Sequence, residues 1–71
     1  MSTAPHSVLF PLAAFTAAQS RDWLARHNLV PVKMARRTAN FRRYRIEDPA
    51  NFRRFFTKRL AGGVEIVFGV R

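Results

Sequence analysis

Apolar residues along this chain follow three spacing rules in turn. Over 8–15 they run together as Val8, Leu9, Phe10, Leu12, Ala13, Ala14 and Phe15, interrupted by Pro11 and without a period. Such a run predicts a short extended piece laid on a core. With the small, polar residues 1–7 ahead of it, it predicts an extended N-terminal arm over 1–15. From Thr16 the spacing becomes three and four. Ala17, Ser20, Trp23, Leu24 and His27 share one side of a helix, while Arg21, Asp22 and Arg26 point elsewhere. Thr16 and Gln19 stand at the spacing of a capping box, so the helix starts there. Asn28 suits the left-handed cap position and Pro31 forbids continuation, so it ends near His27. Asp22 and Arg26 make a favourable i,i+4 pair, and Trp23 is read as the anchor of the helix in the core.

From Val30 the period falls to two. Val30, Val32 and Met34 alternate with Pro31, Lys33 and Ala35, which predicts a first strand running into Arg36 and Arg37. Thr38, Ala39 and Asn40 form a turn, and a strand follows over 41–46 with neither side clean. Asp48 is suited to cap a helical turn whose first position is Pro49. Another strand covers 55–60, and Gly62 with Gly63 supplies the two positive φ angles of a tight hairpin. The last strand is the clearest: Val64, Ile66, Phe68 and Val70 alternate with Glu65, Val67 and Gly69. The expected class is α+β, with one N-terminal amphipathic helix packed on a three- to four-stranded antiparallel β-meander. The arm over 1–15 precedes a single domain over 16–71.

Composition narrows what this fold can do. A chain of 71 residues buries about 60% of its unfolded surface, so it has room for one core and no second domain. Its 48% hydrophobic content, with seven Phe, suffices for that core and argues against wholesale disorder. Without cysteine, a disulfide scaffold and a zinc finger are both excluded. The first residues carry no Lys or Arg and Pro11 breaks the apolar run, which argues against a secretory signal. The run is also too short to span a bilayer. A net charge of +9 and a pI near 11.9 exceed what solubility requires and create a positive potential of several kT at the surface. The expected partner is therefore polyanionic.

Nine of the thirteen Lys and Arg residues fall within 36–59, interleaved with five Phe or Tyr. Arg36, Arg37, Arg42, Arg43, Arg45, Arg53, Arg54, Lys58 and Arg59 are the candidate polyanion-binding residues, since guanidinium groups offer planar, permanently charged forks to phosphate oxygens. Phe41, Phe52 and Phe55 are the candidates for stacking on unpaired bases, with core packing as the alternative role; Tyr44, Phe56 and Phe68 read as core. The motif Ala-Asn-Phe-Arg-Arg occurs at 39–43 and again at 50–54, but the second copy follows Asp48-Pro49 and enters a helical turn where the first enters a strand. Catalytic constellations are poor. Asp22, Glu47, Asp48 and Glu65 are the four carboxylates, and each has a local task in a pair, a turn or an exposed strand position. His6 and His27 have no neighbours at metal-ligand spacing, so neither a metal nor a cofactor is expected, and the protein reads as a non-enzyme.

The order FPLAAFT, AAQSRDWLARHNLVPVK, NFRRYRIEDPANFRRFFTKRL and GGVEIVFGV resembles a small helix-plus-meander module of tailed bacteriophages and related proviruses. Thr16, Trp23, Leu24, Tyr44, Arg45, Asp48, Pro49, Phe56, Thr57 and Lys58 fit the module's pattern over about 10–71, and Ser20 stands where relatives carry Ala. The resemblance implies a viral origin, in a virion or in host cytoplasm, and brings no catalytic motif. The Arg residues and the aromatics threaded among them support one functional expectation, nucleic-acid binding through the Arg-rich face. The other is a virion structural or assembly protein, a capsid cement or head-associated protein. In that case the basic face meets an acidic capsid or portal protein or packaged DNA, and Val8, Leu9, Phe10 and Leu12 of the arm dock by adding a strand to a neighbour's sheet edge. A phage regulator that binds a host protein is a third. No membrane partner is expected.

Overall fold

The aperiodic apolar run turns out to be the middle of the sheet. The structure, a computed structural model, describes residues 2–71. In chain order it contains strand β1 (Thr3–Pro11), helix α1 (Ala17–Arg26), and strands β2 (Arg36–Arg37), β3 (Phe41–Arg45), β4 (Arg54–Arg59) and β5 (Glu65–Val70). The strands form one antiparallel sheet in the order β2-β3-β1-β5-β4. The expected α+β class with a single helix is therefore present, with five strands in place of three or four. The arm over 1–15 is corrected: β1 pairs with β3 on one side and β5 on the other, so its backbone groups are already used. Met1 of that arm lies outside the described residues. A central strand needs apolar side chains toward both faces, which reads in sequence as a run without period.

Directly paired residues share a face, and successive residues alternate between faces. The register therefore sorts every strand residue. Val8 and Phe10 of β1, Tyr44 of β3 and Ile66 of β5 point toward α1 and form the core with Leu24 and with Val64, which precedes β5. Burying each of the larger side chains contributes about 1.5–3 kcal/mol. Phe10 is fully buried, with Phe15 at 5.3 Å, Trp23 at 5.5 Å and Tyr44 at 5.7 Å between ring centroids. Trp23 is half-buried and anchors the helix as expected.

Both ends of α1 close as the sequence predicts. The Gln19 amide donates to the Thr16 hydroxyl at 3.1 Å, and the Thr16 amide to the Gln19 side-chain oxygen at 2.9 Å. At the other end Asn28 takes φ 57°, while the Leu29 and Asn28 amides donate back to the Leu24 and Ala25 carbonyls, the double closure of a Schellman motif. Asp22 and Arg26 pair at 3.0 Å.

The strand expected over 30–35 does not form. Val30, Val32 and Met34 are 76%, 60% and 94% exposed, and the loop is tied to the sheet by the Val32 amide donating to the Arg45 carbonyl. Alternation alone makes no strand where α1 does not reach to cover its apolar side, so regular pairing begins only at Arg36 and Arg37. After β3, Asp48 caps a 3-10 turn over Pro49–Asn51 by accepting from the Ala50 amide at 2.9 Å. Gly62 and Gly63 adopt φ 79° and 82° before β5, as the hairpin requires.

Candidate nucleic-acid interface

Helix α1 covers one face of the sheet and leaves the other open. On the open face the register places, in one row across all five strands, Arg36, Arg43, Leu9, Glu65 and Arg59. The next row holds Arg45, Ser7, Val67 and Thr57, and Phe55 stands opposite Gly69 in the row beyond. Phe41 begins β3 on this face beside Pro11 and is half-buried. Arg43 and Arg45 lie two residues apart, so their side chains leave the sheet about 7 Å from each other on the same side.

Beside them the exposed loop folds back to complete a hollow of about 560 Å³, lined by Lys33, Met34, Ala35, Arg36, Arg43 and Arg45. Four of those six side chains are cationic and none is acidic. The carboxylates are committed elsewhere. Asp22 pairs with Arg26, Glu65 with Arg59 at 3.7 Å, and Arg71 forks Glu47, with Nη2 to Oε1 at 3.0 Å. Asp48 is the turn cap. That Arg71 hydrogen bond holds the Glu47 carboxyl below its usual range. Three of the thirteen Lys and Arg are thus paired with carboxylates among the described residues, which leaves ten that are not.

The proposed basic belt divides between two faces. Arg36, Arg43, Arg45 and Arg59 are on the open face, whereas Arg37, Arg42, Arg54 and Lys58 point to the helix side. Arg42 is half-buried there, with its guanidinium 3.4 Å from the Phe15 carbonyl oxygen. Arg53 precedes β4 and, with Arg54, Val70 and Arg71, borders a hollow of about 420 Å³ at the far end of the sheet, where Arg71 is engaged by Glu47.

The aromatic candidates also part company. Phe52 is 9% exposed, with its ring laid over Gly69 so closely that a Cβ there would meet it at 2.1 Å. It is a packing residue, not a free stacking platform. Phe55 is 47% exposed on the open face and remains available. Phe56, expected in the core, is also 47% exposed and stacks on Phe68 at 5.4 Å, because β4 lies beyond the reach of the helix. The docking arm is corrected as well: Val8 and Phe10 are fully buried, and Leu9 and Leu12 half-buried, within or just after the central strand.

Two site residues were missed from sequence. Lys33 looked like the outward position of a strand, and only the folded-back loop brings it to the arginines. His6 looked like part of a mobile arm, yet it is 4% exposed at a bulge in β1, with its ring 5.0 Å from Phe55 and 6.1 Å from Phe52. Its pKa is pushed below 6.5, first by burial and then by Arg43 and Arg45. Neither position has a local sign in the sequence, because a folded-back loop places Lys33 and long-range strand pairing places His6. Among the described residues no helix is long and apolar enough to cross a membrane, and no three His, Cys, Asp or Glu side chains meet. Compared with models of known families, with curated proteins and with solved structures, the chain has no match.

Proposed function

We propose that this chain is a non-enzymatic nucleic-acid-binding protein that holds the phosphate backbone on the open face of its sheet. One observation carries the reading: the hollow bordered by Lys33, Arg36, Arg43 and Arg45 gathers four cations without a carboxylate among them. Like charges converging on one hollow repel one another and are relieved by an anion. A sheet face with exposed Arg and Phe fits a polynucleotide, because guanidinium groups serve phosphates and the ring serves bases. No recognition helix enters a groove in this arrangement, so binding follows the backbone and not the sequence.

The test is fluorescence anisotropy with a labelled oligonucleotide. Four neutralised phosphates predict a log–log salt slope of about −3 on a single strand, or roughly 50-fold weaker binding at about 200 mM than at about 50 mM salt. Replacing Arg36, Arg43 and Arg45 together by Ala removes most of the affinity, while Arg53 and Arg54 to Ala removes less. Absence of binding at low salt ends this reading.

One observation favours the acidic-protein alternative. Strand β4 is an edge six residues long, exposed throughout, with Arg54, Lys58 and Arg59 along it and its outer backbone groups unpaired. An extended acidic segment of a capsid-type protein could add there as a sixth strand, a role the buried β1 cannot serve.

A further inference from the structure

Across β3 from the four-cation hollow, the open face holds a smaller one of about 280 Å³ walled by His6, Arg43, Arg45, Pro49, Phe55 and Val67. Arg43 and Arg45 line both. We propose that this second hollow seats an unpaired base of a strand whose phosphate occupies the first, which makes the protein a single-strand binder. The inference rests on the nucleic-acid reading above and adds the form of the ligand.

The chemistry of the walls supports it. Phe55 is fixed on one side by His6 at 5.0 Å and by Phe52 at 5.8 Å and 71°, while about half of its surface remains open. A ring held in this way is a platform for a second planar group. Arg43 and Arg45 can offer guanidinium planes or donors to the rim of that group. Val67 and Pro49 supply apolar walls, and no carboxylate lines the hollow. The His6 Nδ1 meets the Ser7 hydroxyl at 3.2 Å, whereas Nε2 is the one buried side-chain nitrogen or oxygen without a partner among the described residues. That nitrogen is enclosed, so the His6 ring closes the back of the hollow and does not offer it a hydrogen bond. A base inside a duplex is stacked and paired, so it cannot present its face to a ring rooted in a sheet.

Anisotropy with four labelled probes tests this: a single DNA strand, the RNA strand of the same sequence, the DNA duplex, and an abasic strand of equal length. The normal single strands should bind more tightly than the duplex and the abasic strand by roughly 5- to 150-fold, the range of one base stacked on one ring. Phe55→Leu, which keeps apolar bulk, should bring the normal strand down to the abasic level and leave abasic binding unchanged. Phe55→Trp gives an independent readout, with emission quenched by the normal strand and not by the abasic one. Equal affinity for normal and abasic strands, or tighter binding of the duplex, overturns the base seat while the backbone reading stands. Failure of every probe to bind at low salt overturns both.

Discussion

The two faces of this sheet are made by the same strands under opposite constraints. Toward α1, β1, β3 and β5 present Phe10, Val8, Tyr44 and Ile66, all buried; toward the other side the same strands present Leu9, Arg43, Arg45, Glu65 and Val67, all half-buried, with Ser7 and Gly69 buried among them. The single ten-residue helix covers the middle of one face and little else. Lys58, Arg54 and Phe56 lie on the helix side of β4 and are nonetheless exposed. Strand β3 gives the core a single buried side chain, Tyr44, because its neighbours complete the rest. Arg43 and Arg45 are thereby left on the open face, with no part in that core.

Truncating one ring on each face separates their contributions to stability. Phe10→Ala should cost about 3–5 kcal/mol, since Phe10 is fully buried among Phe15, Trp23 and Tyr44. Total stability for a chain of this length is roughly 4–11 kcal/mol, so the variant should be largely unfolded near its melting range and at low urea. Phe55→Ala, at a half-exposed position, should cost about 1 kcal/mol. Urea denaturation followed by circular dichroism measures both. Similar losses at the two sites would mean that the open face carries as much of the fold as the helix face does.

How much of this asymmetry could be read from sequence depends on whether the signal was local. The capping box of Thr16 and Gln19, the left-handed Asn28, the Asp48 cap and the two positive-φ glycines are decided within four or five residues, and all are present. The alternation of Val64, Ile66 and Phe68 announced β5 because one of its sides is core. Strand β1 was misread as an arm because burial on both sides erases the period, and only long-range pairing with β3 and β5 distinguishes it from a loose apolar segment. Whether the basic residues of 36–59 share one face is left open by the sequence, because sequence gives charge but not facing. Arg42 and Arg43 are adjacent in the chain and stand on opposite sides of the sheet.

His6 makes the stability of the open face depend on pH. It is a titratable ring buried on the open face, with Arg43 and Arg45 lowering its pKa after burial, against smaller opposing effects from Asp48 and Glu47. The folded pKa lies below 6.5, so on acidification the unfolded chain takes up this proton first. The His6 contribution is fully present above 6.5 and is lost as pH falls through 6.5 toward the lower folded value. The urea midpoint should therefore drop between about pH 7.5 and about pH 5.5, and His6→Phe should flatten that dependence. A slope unchanged in His6→Phe would show that the ring is not held neutral by the open face.

The smallest expected effect concerns how far the cationic surface extends. Glu65 is the carboxylate that the register places on the open face, between Leu9 and Arg59, and its 3.7 Å contact with Arg59 is loose, with the Arg59 side chain 80% exposed. Such a pair contributes about 0–1 kcal/mol to stability, so Glu65→Gln should scarcely move the urea midpoint. It does change the ligand's view of the sheet. With the carboxylate gone, Arg59 is released at the end of the row that begins with Arg36 and Arg43, and oligonucleotide affinity at low salt should rise by roughly twofold, about 0.4 kcal/mol. The gain should fade as salt rises, because the charges involved are exposed. If affinity stays unchanged in Glu65→Gln while the Arg36, Arg43 and Arg45 variant has lost it, the interface stops at β1. The four-cation hollow would then be the whole backbone site, and β4 would be left free as an edge for a protein strand.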